Sequence, residues 1–309
     1  MGPITKVGTR PASSEAGPLL HKLGTIDCDM VETTPLVFRD RLYRFEYVRQ
    51  NYHANRTGDS FFRFVDVDTG QTSPGFAPGY HLGSAYVERD TAYVYGVENW
   101  GGRRIEVFWS DDLKDWRSQP ALTQPGWKMY NTSVCRGPGR YVMAIELGEP
   151  PEIVGTAFTM RFAESDDLLH WRLLGEQCVY SKDFYSACPA LRFLDGYFYM
   201  IYLHAYPGPT YAPHIVRCRD LAHWEPSPLN PVMRFSDEDK QIANPELTAE
   251  QREAIARATN INNSDLDLCE FRGRTIIYYS WGNQTGTEFL AQAEFNGSLQ
   301  SLLGGFFPE

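Results

Sequence analysis

The chain has 309 residues, and its 29 Lys and Arg against 39 Asp and Glu leave a formal net charge of −10. With no basic stripe in the sequence, that balance excludes nucleic acid and anionic membrane surfaces as main partners. A chain this long buries a large core without disulfide staples, and its six cysteines stand singly, with no C-x-x-C pair for zinc or redox chemistry.

The N-terminus lacks the apolar core of a signal peptide, and no run of 18 apolar residues spans a membrane. A cytoplasmic protein is therefore expected, or a periplasmic or secreted one if a leader has been removed. Residues 1–26 read as an extended arm, a candidate contact for a homodimer. From residue 27 onward one pattern recurs: an apolar, aromatic-rich run, a polar or glycine turn, then a second such run. It appears as P-L-V-F-R-D-R-L-Y-R-F-E-Y (35–47), A-Y-V-E-R-D-T-A-Y-V-Y-G (85–96), S-V-C-R-G-P-G-R-Y-V-M-A-I (133–145), P-A-L-R-F-L-D-G-Y-F-Y-M-I-Y (189–202) and L-C-E-F-R-G-R-T-I-I-Y-Y-S (268–280). Each reads as a β-hairpin. A third strand follows each hairpin, as in R-I-E-V-F-W-S (104–110) and E-F-L-A-Q-A-E-F (288–295). Three units then carry a turn: S-D-D-L-K-D-W (110–116), S-D-D-L-L-H-W (165–171) and R-D-L-A-H-W (219–224). The Asp suits turn amides, and the Leu and Trp suit packing between neighbouring units. Five units of roughly 50 residues, each with four short strands, predict an all-β, five-bladed β-propeller over residues 27–309. Residues 233–261 break the pattern. Thr248 and Gln251 form a capping box ahead of a helix-favouring run, which predicts a helical insertion between blades four and five.

In a propeller the innermost strands surround the axis, so the residues that start them line a pocket at one end. All five starts are polar: D-M-V-E-T-T-P (29–35), G-Y-H-L-G-S (79–84), K-M-Y-N-T-S (128–133), F-Y-S-A-C-P (184–189) and N-I-N-N-S-D-L-D-L (260–268). Two of them carry carboxylates: Glu32 in unit one and Asp265 with Asp267 in unit five, neighbours in a closed ring. A pair of carboxyl groups is what glycoside hydrolysis commonly needs. The candidate catalytic residues are Glu32, Asp265 and His81. Asp267, Asn131, Ser186 and Asn263 are candidate substrate ligands on the strand starts. Second strands end at the same mouth, which adds Glu146, His204, Trp281 and Gln284. Cys188 reads as a pocket wall.

These residues resemble the five-bladed β-propeller glycoside hydrolases, the group holding families 43, 32, 68 and 117. The resemblance covers residues 27–300 and rests on the hairpins, on S-D-D-L-K-D-W and its echoes, and on C-P-A-L-R-F-L-D-G-Y-F-Y-M-I-Y. That last string is similar to the group's D-P-x-V-F-x-x-D-G-x-Y-Y-L-x-Y inner-strand pattern. In family 43 the pattern of the first blade begins with the general-base Asp. Here that slot reads as Thr34-Pro35, with Glu32 two residues earlier. Unit four has Cys188 in it, and only unit five keeps an acid, Asp265. Family 117 resembles the group in fold and uses a histidine as its proposed acid, which directs attention to His81 and His204.

The resemblance implies an exo-acting, inverting glycosidase of polysaccharide degradation, whose partner is an oligosaccharide. The alternative is a non-catalytic carbohydrate-binding propeller. No cofactor is expected. Several hydrolases of this architecture hold a central divalent cation, for which Asp265, Asp267 and His81 are the available donors.

Overall fold

A computed structural model describes residues 17–49, 60–156 and 158–308. It contains five antiparallel sheets arranged as propeller blades. Blade one holds β2 (Thr34–Phe38), β3 (Arg41–Arg49) and β4 (Ser60–Asp66). Blade two holds β5 (His81–Glu88), β6 (Thr91–Val97), β7 (Arg104–Ser110) and β8 (Arg117–Thr123). Blade three holds β9 (Lys128–Arg136), β10 (Tyr141–Glu149), β11 (Thr159–Ser165) and β12 (Arg172–Leu173). Blade four runs β13 (Ser186–Leu194), β14 (Tyr197–Tyr206), β15 (Thr210–Cys218) and β16 (Glu225–Pro226). Blade five combines β17 (Asn262–Phe271), β18 (Arg274–Gly282) and β19 (Phe289–Phe295) with β1 (His21–Cys28) from the start of the chain.

Two expectations change. Blade one has three strands, and single bridges from Thr72 and Phe76 to β4 occupy the fourth position. The arm expected over 1–26 is not free over its last residues. From His21 on it is β1, paired antiparallel with β19, and it closes the ring. Closure covers the edge that β19 would otherwise expose. Residues 1–16 lie outside the described residues, and with them most of the expected arm.

The repeated turns follow from local chemistry. In two of the three, a Ser hydroxyl at the end of the third strand accepts the Leu amide: Ser110 from Leu113 and Ser165 from Leu168, both at 2.9 Å. In the third, Cys218 Sγ accepts from Leu221 at 3.2 Å. Asp112, Asp167 and Asp220 each accept two further backbone amides. The Leu takes a left-handed conformation in every copy, with φ of 61°, 68° and 63°. The Trp then reaches back to the preceding blade. Trp116 stacks on Phe76 at 3.8 Å, Trp171 meets Tyr95 edge-on at 5.6 Å, and Trp224 stacks on Phe162 at 5.5 Å. Burying such a side chain contributes about 1.5–3 kcal/mol or more, so each turn joins two blades.

The insertion contains a 3-10 turn (Asp237–Lys240) and α2 (Ala249–Arg257), after the short α1 (Pro151–Val154); α3 (Leu299–Gly305) ends the fold. Thr248 and Gln251 form the expected capping box on α2. The insertion is fastened to β1 and blade five. Buried Asp239 accepts from Lys22 Nζ (2.7 Å), Tyr279 Oη (2.7 Å), Asn260 Nδ2 (2.8 Å) and Asn263 Nδ2 (3.1 Å). Beside this network Gly24 has φ 107°, and a Cβ there would stand 2.3 Å from the Gln241 carbonyl oxygen. Only glycine fits.

Candidate active site

The inner strands β2, β5, β9, β13 and β17 converge on the axis; four of them are disturbed at one depth, and in blade one Glu32 takes the corresponding place two residues ahead of β2. Glu32, Leu82, Cys188 and Asp265 all have left-handed backbones, with φ of 55°, 53°, 49° and 49°. Each stands six residues before the last residue of its inner strand. The ladders slip there, between His81 and Ser84, Ala187 and Ala190, and Ser264 and Asp267. In blade three the register breaks around Asn131. Such bulges re-aim one side chain and bend the strand, and non-glycine residues held in this region of φ cluster at functional sites. The correct slot of blade one is therefore Glu32, not Thr34, and two of the five slots hold acids.

A cavity of about 150 Å³ opens over these slots. Its floor is Glu32, Leu82, Asn131, Glu146, Cys188 and Asp265, and its wall includes Trp100, Tyr130, Phe158 and Tyr185. Below it a narrow polar channel continues down the axis past Thr34, Ser84, Thr132 and Asp267. Among the described residues, none that lines the cavity is cationic.

Burial favours the protonated form of two carboxyl groups in the cavity. Burial pushes the Glu32 carboxyl up to about 8, reinforced by Asp265 and Glu146 and only partly offset by Arg49. The nearest Arg49 nitrogen is 3.8 Å from Glu32 Oε2. Burial also raises Glu146, to about 7, against hydrogen bonds from the Cys188 amide (2.7 Å) and Asn131 Nδ2 (3.0 Å). Both groups can thus hold a proton near neutrality. Asp265 Oδ2 accepts from the Ser264 hydroxyl at 2.6 Å. Burial, together with Asp265, Glu146 and Glu32, pushes the Cys188 thiol far up, so the thiol stays neutral and serves as wall rather than nucleophile.

Of the expected site residues, the structure brings together Glu32, Asp265, Asn131, Glu146 and Gln284 on one cavity. Asp267 lines the channel below, ion-paired with Arg192 at 2.6 Å. The others lie elsewhere. His81 is buried off the cavity, its Nδ1 2.6 Å from Tyr47 Oη, and burial, then Arg49, lowers its pKa. Ser186 donates to the Phe158 carbonyl at 3.3 Å. Asn263 belongs to the Lys22–Asp239 network. His204 stacks on His214 at 4.3 Å, and its neighbour Leu203 lines the cavity instead. Trp281 is fully buried on Phe289 and donates to Thr25 Oγ1 at 2.8 Å. Alternation along the strands explains these cases, because one residue of shift turns a side chain to the other face. The donors considered for a cation are likewise not assembled, with Asp267 paired to Arg192 and His81 bonded to Tyr47. Among the described residues, no group of three or more His, Cys, Asp and Glu could hold a metal ion.

The sequence reading missed Arg49, Glu288 and most of the aromatic wall. That wall is a chain of edge-to-face contacts, Trp100–Tyr130 at 5.8 Å, Tyr130–Phe158 at 4.8 Å and Phe158–Tyr185 at 5.6 Å. Its members stand at the starts and ends of strands, where the alternation of the hairpins gives no signal.

No protein-family model matches the chain, and no curated protein matches it in sequence. Solved structures do resemble it. A thermostable family-43 glycoside hydrolase superposes with a TM-score of 0.62 at 13% identity, over 87% of this chain and 90% of that one. A structure from work on the GH130 family of mannoside phosphorylases, described as containing glycoside hydrolases that target β-1,2-mannosidic linkages, gives a TM-score of 0.60 at 11% identity. It covers 93% of this chain and 96% of that one. A glycosyl hydrolase from Bacteroides ovatus gives 0.55 at 13% identity, over 92% of both chains. At these identities the likeness is one of fold: this chain has the five-bladed propeller found in glycoside hydrolases.

Proposed function

We propose that the chain is a glycoside hydrolase that removes a terminal sugar from an oligosaccharide, with Glu32 as general acid and Asp265 as general base. One observation carries this reading: Glu32 and Asp265 hold the same left-handed backbone at matching places in neighbouring blades and line one cavity, where burial raises the Glu32 carboxyl and Asp265 adds to that rise. A pair of carboxyl groups, one of them able to hold a proton, is the working part of glycoside hydrolysis. Glu32 gives its proton to the glycosidic oxygen as the C1–O bond breaks. A water attacks C1 and loses its proton to Asp265. The products are a free sugar and a shortened alcohol, and one proton passes from Asp265 back to Glu32 to reset the pair.

The size of the cavity favours exo action. About 150 Å³ is well below the roughly 300–1,000 Å³ of sites for drug-sized ligands, so one ring enters and the rest of the chain stays outside. Direct attack by water makes inversion the expected outcome, which NMR of the first-formed anomer tests. The decisive experiment incubates the protein, Glu32→Gln and Asp265→Asn with a panel of oligosaccharides and aryl glycosides, with and without inorganic phosphate. Release of one monosaccharide, lost in both variants, supports the reading. Sugar 1-phosphate formed only with phosphate redirects it to phosphorolysis. Ligand-induced thermal shifts without any bond cleavage replace it with a sugar-binding propeller.

A further inference from the structure

We infer that Ser264, Gln284 and Glu288 form a positioning relay that fixes the Asp265 carboxylate for proton abstraction; this rests on Asp265 acting as the base. The bulge sets the Asp265 backbone but leaves its carboxyl group free to rotate. Its orientation comes from Ser264, which is fully buried and donates to Oδ2 at 2.6 Å. The direction of that hydroxyl is itself imposed. Gln284 Nε2 donates to Ser264 Oγ at 3.1 Å, so the hydroxyl proton is turned toward Asp265.

Gln284 has a left-handed backbone of its own, φ 60°. What holds it there is Glu288, fully buried just ahead of β19. Glu288 Oε1 accepts from the amides of Gln284 (2.6 Å) and Asn283 (3.1 Å). The fit is tight, because a Cβ on Gly282 would stand 2.4 Å from Glu288 Oε2. The Glu288 carbonyl also accepts the Asp29 amide at 2.8 Å, three residues ahead of Glu32. One residue therefore ties together the loop that orients the base and the segment that carries the acid. Burial, against the Gln284 amide and with Asp265 nearby, raises the Glu288 carboxyl to about 7, so it holds the loop as an acceptor near neutrality without a full charge.

The test uses Ser264→Ala and Glu288→Ala, with Ser264→Thr and Glu288→Gln as variants that keep the hydroxyl and the acceptor. On a substrate cleaved by the wild type, Ser264→Ala should lower kcat about tenfold or more, short of the 10²–10⁴-fold effect of a general base itself. KM should change less than twofold, and Ser264→Thr should restore most of kcat. Adding Ser264→Ala to Asp265→Asn should cost nothing further, because the relay acts only through Asp265. A kcat within twofold of wild type, or a fully additive loss, overturns the relay. A crystal structure of Ser264→Ala decides the same point without activity: the Asp265 carboxylate should leave its rotamer, and an unmoved carboxylate overturns the inference. A wild-type protein that cleaves nothing refutes the glycosidase reading, while that structure still judges the relay.

Discussion

Replacing Glu32 by Gln tests its role as the acid through stability as well as activity. In the fold this group ionises near 8, whereas an unfolded glutamate ionises near 4.5. The folded protein therefore binds the extra proton, and the stabilisation this gives is complete below pH 4.5 and lost as pH rises through 8. At 1.36 kcal/mol per pH unit, the ionised group costs the fold up to about 5 kcal/mol at pH 9. Glutamine cannot ionise and escapes that cost. The buried Arg49 beside it loses its anionic neighbour in the variant, but at pH 5 the wild-type Glu32 is already neutral. The comparison between the two pH values therefore isolates the ionisation of Glu32. The variant should melt near the wild type at pH 5 and above it at pH 9, by up to about 10 °C if each kcal/mol moves Tm by roughly 2 °C. Differential scanning calorimetry at the two pH values measures this. A gap in Tm of equal size at both refutes the claim that Glu32 is held protonated, and with it the assignment of the acid. Wild-type kcat/KM should fall above about pH 8 as that proton is lost. The variant should lose most activity on alkyl glycosides but much less on dinitrophenyl glycosides, whose leaving group needs no acid.

Trp100 is 41% exposed at the cavity mouth, where the second sugar of an oligosaccharide would stack. Trp100→Ala should raise KM for oligosaccharides severalfold and leave aryl monoglycosides nearly unaffected; equal effects on both would refute the stacking role. Trp171 is buried between blades two and three, so Trp171→Ala should cost about 3–5 kcal/mol in urea unfolding without changing KM. Gly24→Ala drives a methyl group into the Gln241 carbonyl. It should cost more than about 1 kcal/mol and speed proteolysis within residues 233–261 while sparing the blades.

The five blades were legible in the sequence because each hairpin carries its own signal, alternation and a turn, and three of them add a Trp at a fixed offset. The helix of the insertion was legible for the same reason, through the capping box of Thr248 and Gln251. The approximate site was legible too, since propeller geometry sends every inner-strand start to the axis. Glu32, Asp265 and Asn131 came from those starts, Glu146 and Gln284 from the ends of second strands, and all five line the cavity. Which neighbouring residue faces the axis was not legible. A bulge of one residue inverts every side chain beyond it, and the slips at Leu82, Cys188 and Asp265 follow from packing five strands around one axis. His81, Ser186, Asn263, His204 and Trp281 stand close to the right places in the chain yet turn into the sheets. The fourth strand of blade five was missed because β1 pairs with β19 across almost the whole chain. Sequence by itself determined the repeat, which is written in local contacts. Tertiary structure decided ring closure, the direction of the bulged side chains and the protonation of Glu32, because each depends on groups that only folding brings together.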